Sequence, residues 1–104
     1  MTKGILRVKA RNSGSITNVK IMAKHDMETG NRKDKKGNPI PAKYIQNLAI
    51  DCNGRRVMDA YLGPAISKNP YFAFTFEGGA KGDELKMTWQ ENTGESATET
   101  ALIK

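Results

Sequence analysis

The chain is 104 residues long, enough for one domain with a two-layer core and too short for a second, so residues 1–104 are read as a single domain. Hydrophobic residues make up 38% and charged residues 27%, and no apolar run approaches the roughly 20 residues of a membrane span. The net charge is +6 and unevenly spread: residues 1–36 carry ten Lys or Arg against three acids, residues 77–104 six acids against three lysines. One cysteine and one histidine exclude an internal disulfide, a CxxC motif and any His/Cys metal site of three or four ligands. No metal or cofactor is expected.

Period-two alternation of apolar and polar residues runs through nearly the whole chain, and helical spacing is almost absent. Leu6, Val8 and Ala10 form one face of a first strand, with Arg7, Lys9 and Arg11 on its solvated side, and Asn12-Ser13-Gly14 turns the chain. Val19, Ile21 and Ala23 mark a second strand. It leads into a long polar segment from His25 to Pro41, HDMETGNRKDKKGNPIP. Loops beyond about 12–15 residues are uncommon in compact domains unless they carry a function. This one has Met27 and Ile40 as apolar anchors and Arg32, Lys33 and Lys35 as cations for a partner.

A third strand covers about Tyr44 to Asn53, with Tyr44, Leu48, Ile50 and Cys52 on one side. Asn53-Gly54 supplies the two positive-φ positions of a tight hairpin, and Arg55 to Leu62 return. A connector, Gly63-Pro64-Ala65-Ile66-Ser67-Lys68-Asn69-Pro70, is too rich in Pro and Gly for a helix. Phe72, Phe74 and Phe76 give the most apolar stripe in the chain, and Leu85, Met87 and Trp89 are its natural facing layer. After Asn92-Thr93-Gly94 a last strand runs from Ala97 to Ile103, its two rows about equally polar. Seven short strands separated by turn signals define an all-β chain, an immunoglobulin-like antiparallel β-sandwich, with a β-barrel of similar size as the alternative.

Catalytic sets are missing. His25 is in register with the second strand but at its end, where it serves better as a hydrogen-bonded anchor than as a base. Cys52 is in phase with Leu48 and Ile50 and reads as a small buried hydrophobe. Gly78-Gly79-Ala80-Lys81-Gly82 joins two strands and has no helix N-terminus to hold a phosphate. The phenylalanines and Trp89 are in core phase, which leaves only Tyr44, Tyr61 and Tyr71 as candidate exposed aromatics, and their flanks suit a protein interface as well as nucleic acid. The chain reads as a binding part and not as an enzyme. The alternative is an immunoglobulin-like module that uses its basic first third on another protein or a nucleic acid.

The two long loops carry a resemblance. His25-Asp26-Met27-Glu28-Thr29-Gly30, continuing through Arg32-Lys33-Asp34 to Gly37-Asn38-Pro39-Ile40-Pro41-Ala42, is similar to the signature of the SoxZ family. So are Gly63-Pro64-Ala65-Ile66-Ser67-Lys68-Asn69-Pro70, the Asn53-Gly54 hairpin, and the Gly78-Gly79…Gly82-Asp83 turn before a strand that ends in Trp89. The resemblance implies a non-catalytic immunoglobulin-like subunit of the SoxYZ carrier of bacterial thiosulfate oxidation, bound as a heterodimer to SoxY. In that family a cysteine on a C-terminal arm of SoxY carries the sulfur substrate. The arm is presented in turn to a c-type cytochrome, a sulfohydrolase and a sulfur dehydrogenase in the periplasm. Family members have no signal peptide and are exported with SoxY, in keeping with the N-terminus MTKGILRVKARN, which shows no apolar h-region. No nucleic acid or membrane is implied. Cys52 does not lie in a Gly-Gly-Cys-Gly-Gly arm, so the substrate-bearing role does not pass to it.

Obligate interfaces are apolar at the centre with a polar rim. The residues expected at the partner surface are therefore apolar ones on outward rows (Met22, Val57, Tyr61 and Tyr71) and loop apolars (Met27, Ile40 and Ile66). Arg32, Lys33, Lys35 and Lys68 form the rim, with His25 at the loop base. Lys68 is the residue expected to hold an anionic sulfur group.

Overall fold

The computed structural model describes residues 4–63 and 66–104. Pro64 and Ala65, part of the second connector, lie outside the described residues. Seven strands follow in chain order: β1 (Leu6–Ser13), β2 (Ile16–Ala23), β3 (Ile45–Cys52), β4 (Arg55–Tyr61), β5 (Tyr71–Glu77), β6 (Glu84–Glu91) and β7 (Ser96–Leu102). All pairings are antiparallel. They make a three-stranded sheet of order β1-β2-β5 and a four-stranded sheet of order β4-β3-β6-β7. The fourth strand stays with the third through the Asn53-Gly54 turn, whose φ values of 53° and 79° are those the sequence demands. Among the described residues no helix is long and apolar enough to cross a membrane.

The inward rows of both sheets build one apolar cluster. Val19, Ile21 and Ala23 come from β2, Leu48, Ile50 and Cys52 from β3, and Leu85, Met87 and Trp89 from β6. Removing each large aliphatic side chain from water contributes on the order of 1.5–3 kcal/mol. Cys52 is buried as expected, and burial pushes its thiol pKa up. Nearby Asp83 adds to that rise and Arg55 opposes it. On β7, Ala97, Glu99 and Ala101 pair with Trp89, Met87 and Leu85, so this row faces inward and Glu99 lies inside the seam.

Three expectations need correction. The inward residue at the start of β3 is Ile45, because a register irregularity between Ile45 and Asn47 shifts the alternation; Tyr44 is only half-buried. The Phe72, Phe74 and Phe76 row faces the core but is half-buried, since β5 is an edge strand of the smaller sheet. Val57, expected on an outward row, packs half-buried against the core. Ile50 pairs with Met58 while Asp51 pairs with Arg56, which leaves Val57 as the extra residue of a bulge.

The two lateral edges differ. On one side the N–H groups of Ile5 and Leu6 donate to the Glu99 carboxylate at 2.9 and 3.2 Å, and Trp89 Nε1 donates to it at 3.1 Å. There too Asn12 N–H donates to the Lys104 carbonyl and Lys104 N–H to that of Ala10. The seam between β1 and β7 is thus sewn shut. On the other side β4 and β5 are joined near the Asn53-Gly54 turn, where Arg55 Nη2 donates to the Glu77 carbonyl at 2.6 Å.

Candidate partner-binding site

Antiparallel order delivers the two longest connections to the same end of the sandwich. Strands β2, β4 and β6 finish there and β3, β5 and β7 begin there. Residues 24–44, 62–63, 66–70 and 92–95 therefore share one end, as the binding loops of immunoglobulin-type domains do.

The first of these loops is not slack. Glu28 and Lys43 exchange backbone hydrogen bonds at 2.8 and 3.0 Å, and Ile40 N–H donates to the Arg32 carbonyl at 2.9 Å. Asp34 Oδ1 accepts from the N–H groups of Lys36 and Asn38, both at 2.9 Å, and Gly37 N–H donates to the Asp34 carbonyl. The segment folds on itself as a two-stranded finger, 28–43, turned by an Asx motif at its tip. Residues 31–39 are all exposed. The principal extents of 54 × 25 × 18 Å fit a finger that prolongs strands whose eight residues span only about 27 Å.

Its base is fixed by His25. Met27 N–H donates to His25 Nδ1 at 2.9 Å, so the ring hydrogen sits on Nε2. That group donates to Glu91 Oε2 at 2.5 Å. The two side chains are 9% and 3% exposed, and Thr93 Oγ1 donates to the other Glu91 oxygen at 3.1 Å. His25 also ties in the second loop. Its N–H donates to Asn69 Oδ1 at 3.0 Å, and Asn69 N–H donates to its carbonyl at 2.8 Å. The turn after β6 is attached through Asn92. Its Oδ1 accepts from Tyr44 N–H at 2.8 Å and its Nδ2 donates to the Ala42 carbonyl at 3.1 Å. His25 and two asparagines, Asn69 and Asn92, thus lock three loops to one another.

Met27 and Asn69 hold positive φ values of 53° and 52°. For a methionine that conformation costs on the order of 1–3 kcal/mol, and such outliers cluster where function over-determines the backbone. Met27 is held in it by burial and by Ile45 N–H, which donates to its sulfur at 3.4 Å.

Of the residues expected at a partner surface, Met22, Tyr61, Ile66 and Tyr71 are exposed, Tyr61 at 81% and Tyr71 at 60%. Met22 and Tyr71 are cross-strand neighbours on the outer face of the smaller sheet, with Arg7 completing the row. Arg32 and Lys33 stand on the finger, and Ile40 is half-buried against it. Arg32 pairs with Glu28 at 3.2 Å, while the other Glu28 oxygen is buried without a partner. Met27 and His25 are interior, so they position the loops and do not present a surface. Val57 is in the core bulge, away from this end. Lys68 lies 3.9 Å from Asp26. It lines an open groove with Lys24 and Lys43, opposed by Asp26, Glu28, Glu91 and Glu95. Four carboxylates against three lysines make a poor anion site, and the role expected of Lys68 does not carry forward.

The sequence reading missed Glu91, Asn69 and Asn92. Glu91 had a usable signal: it continues the inward row Leu85, Met87, Trp89, and an acid in core phase needs a donor. Among the described residues no group of three His, Cys, Asp or Glu is placed to hold a metal ion.

The fold and this end of it define an all-β domain whose distinctive parts are locked, outward-reaching loops. Residues 6–102 match the family model described as sulphur oxidation protein SoxZ, and the chain belongs to the SoxZ family. No curated protein sequence matches it.

Proposed function

We propose that the chain is the non-catalytic subunit of a two-chain sulfur carrier, holding a SoxY-type partner whose cysteine bears the substrate. The observation that carries this reading is the family match over residues 6–102, together with three interlocked loops at one end of the sandwich. Membership makes it a sulfur oxidation protein. The loop end supplies exposed apolar side chains, Met22 and Tyr71 on the smaller sheet, Tyr61 on the larger and Ile66 in the connector, with exposed cations beside them, the composition of a stable heterodimer interface. The half-buried Phe72, Phe74 and Phe76 on the edge strand β5 add apolar area that a partner sandwich would cover. Transient docking to the cytochrome, sulfohydrolase and dehydrogenase, and export to the periplasm together with the partner, belong to the same reading. Coexpression with the SoxY-type chain tests it. A heterodimer that survives size exclusion is expected, and separate elution of two monomers would overturn it.

A further inference from the structure

The cations of β1 and β2 are gathered on one exposed face of the smaller sheet. Arg56 is taken up by Asp51 and Asp59, Arg32 by Glu28 and Lys68 by Asp26. Arg55 is bound to the Glu77 carbonyl. Arg7, Lys9, Arg11 and Lys20 are exposed, and among the described residues none of them forms an ion pair.

Register makes the arrangement costly. Lys9 is the direct cross-strand partner of Lys20, and like charges placed opposite each other destabilise a ladder. No carboxylate occupies the same rows of the outer face. Lys20 is followed by Ala73 on β5, and Arg11 is followed by Asn18 and Thr75. Beside this face a groove runs along the closed seam, floored by Val8, Ala10 and Leu102 and walled by Lys9, Arg11, Lys20 and Lys104.

We infer that this seam is a second interaction surface, which docks an extended acidic segment of a partner protein. Arg7, Lys9 and Arg11 recur every second residue, about 6.8 Å apart. An extended chain with carboxylates at every second residue has the same repeat. The aliphatic floor accepts the intervening side chains. No aromatic residue lines the groove, so the stacking that single-stranded nucleic acid uses is missing. Strand addition is blocked because Lys104 already pairs with Ala10 and Asn12, so recognition runs through side chains. The groove runs along the strands from Val8 onward, with only Arg7 reaching the row of Met22 and Tyr71, and the inference stands whether or not the loop end holds the proposed partner.

The probe is a labelled octapeptide of alternating Thr and Glu, titrated into the isotopically labelled protein at low ionic strength. Amide shifts are expected on residues 7–11, on Lys20 and on Lys104, and they should fade as salt is raised. The decisive variant is Lys20→Glu. It should weaken the peptide at least fivefold and, by turning the Lys9–Lys20 repulsion into a cross-strand ion pair, raise Tm by about 1–4 °C. Lys35→Glu carries the same charge change on the finger tip and should leave peptide affinity within twofold. Equal losses in the two variants would reduce the effect to net charge and overturn the inference. So would shifts centred on residues 32–36, an absence of binding at millimolar peptide, or tighter binding of an eight-nucleotide oligothymidine at the same residues.

Discussion

His25 Nε2 and Glu91 Oε2 meet at 2.5 Å across a sequence separation of 66, and this one bond couples the end of β2 to the end of β6. Because Nδ1 of the same ring accepts from Met27 N–H, the imidazole is gripped on both sides and its orientation is fixed. The ring is a hinge pin for the finger. His25→Ala should destabilise the protein by about 2 kcal/mol, the scale of a buried hydrogen bond to a charged group, measured by urea unfolding. Amide exchange should show the loss concentrated at residues 26–43. Uniform loss of protection across the sandwich would contradict the assignment.

Glu99 performs the equivalent task on the closed seam. Glu99→Ala leaves Trp89 Nε1–H and the N–H groups of Ile5 and Leu6 without their acceptor. A destabilisation of about 2–3 kcal/mol is expected, with a red shift of the tryptophan emission as water reaches the indole. The single tryptophan makes the assay direct.

Cys52 gives a pH dependence. Burial raises its folded-state pKa, so the folded chain keeps its thiol proton at pH values where the unfolded chain has lost it. Stability is then full below a free thiol's ordinary pKa and declines as pH rises from about 8.5. Cys52→Ala should cost about 1–2 kcal/mol at neutral pH, flatten this alkaline decline and leave partner binding unchanged. Chemical denaturation at pH 7 and pH 10 reads both effects.

Two glycines with positive φ separate backbone strain from crowding. A Cβ at Gly79 (φ 77°) would lie 2.6 Å from Thr17 Oγ1 and 3.2 Å from Ile103 Cδ1, whereas at Gly14 (φ 65°) nothing lies within 4 Å. Gly14→Ala should cost about 1 kcal/mol from conformation alone. Gly79→Ala should cost at least 2 kcal/mol, because it also disturbs the Thr17 hydroxyl that donates to the Gly78 carbonyl at 2.7 Å. Equal values for the two would show that the seam relaxes freely.

Much of this was legible before any coordinates. Alternation located all seven strands, since a half-buried strand must repeat every second residue, and Asn53-Gly54 announced its own turn. Alternation fails where the chain gains a residue. The bulge at Val57 and the irregularity before Leu48 each moved a side chain to the other face, and no local signal marks them. It also cannot say which strand ends a sheet, so the phenylalanine row was given more burial than an edge strand allows. The interlocking of the loops depends on bonds between residues far apart in sequence, such as His25 with Asn69 and Asn92 with Ala42. Only their gathering at one end, a result of antiparallel order, makes those bonds possible.

The proposed interface yields a last test. Met22→Lys with Tyr71→Glu places a complementary charged pair on adjacent exposed positions, where stability should change by no more than about 0.5 kcal/mol. The same pair should abolish co-elution with the SoxY-type chain. Retained co-elution would move the interface off this face.

Strand β5, Tyr71–Glu77, ends its sheet with three phenylalanines and without a single lysine, arginine or proline to discourage an intruder. A molecule built this way is poorly suited to solitude. Made in excess of whatever shields that border, it should clump with its own kind. On the proposed two-chain reading, matched synthesis of both chains keeps that border covered, and an orphan copy is a target for proteolytic clearance.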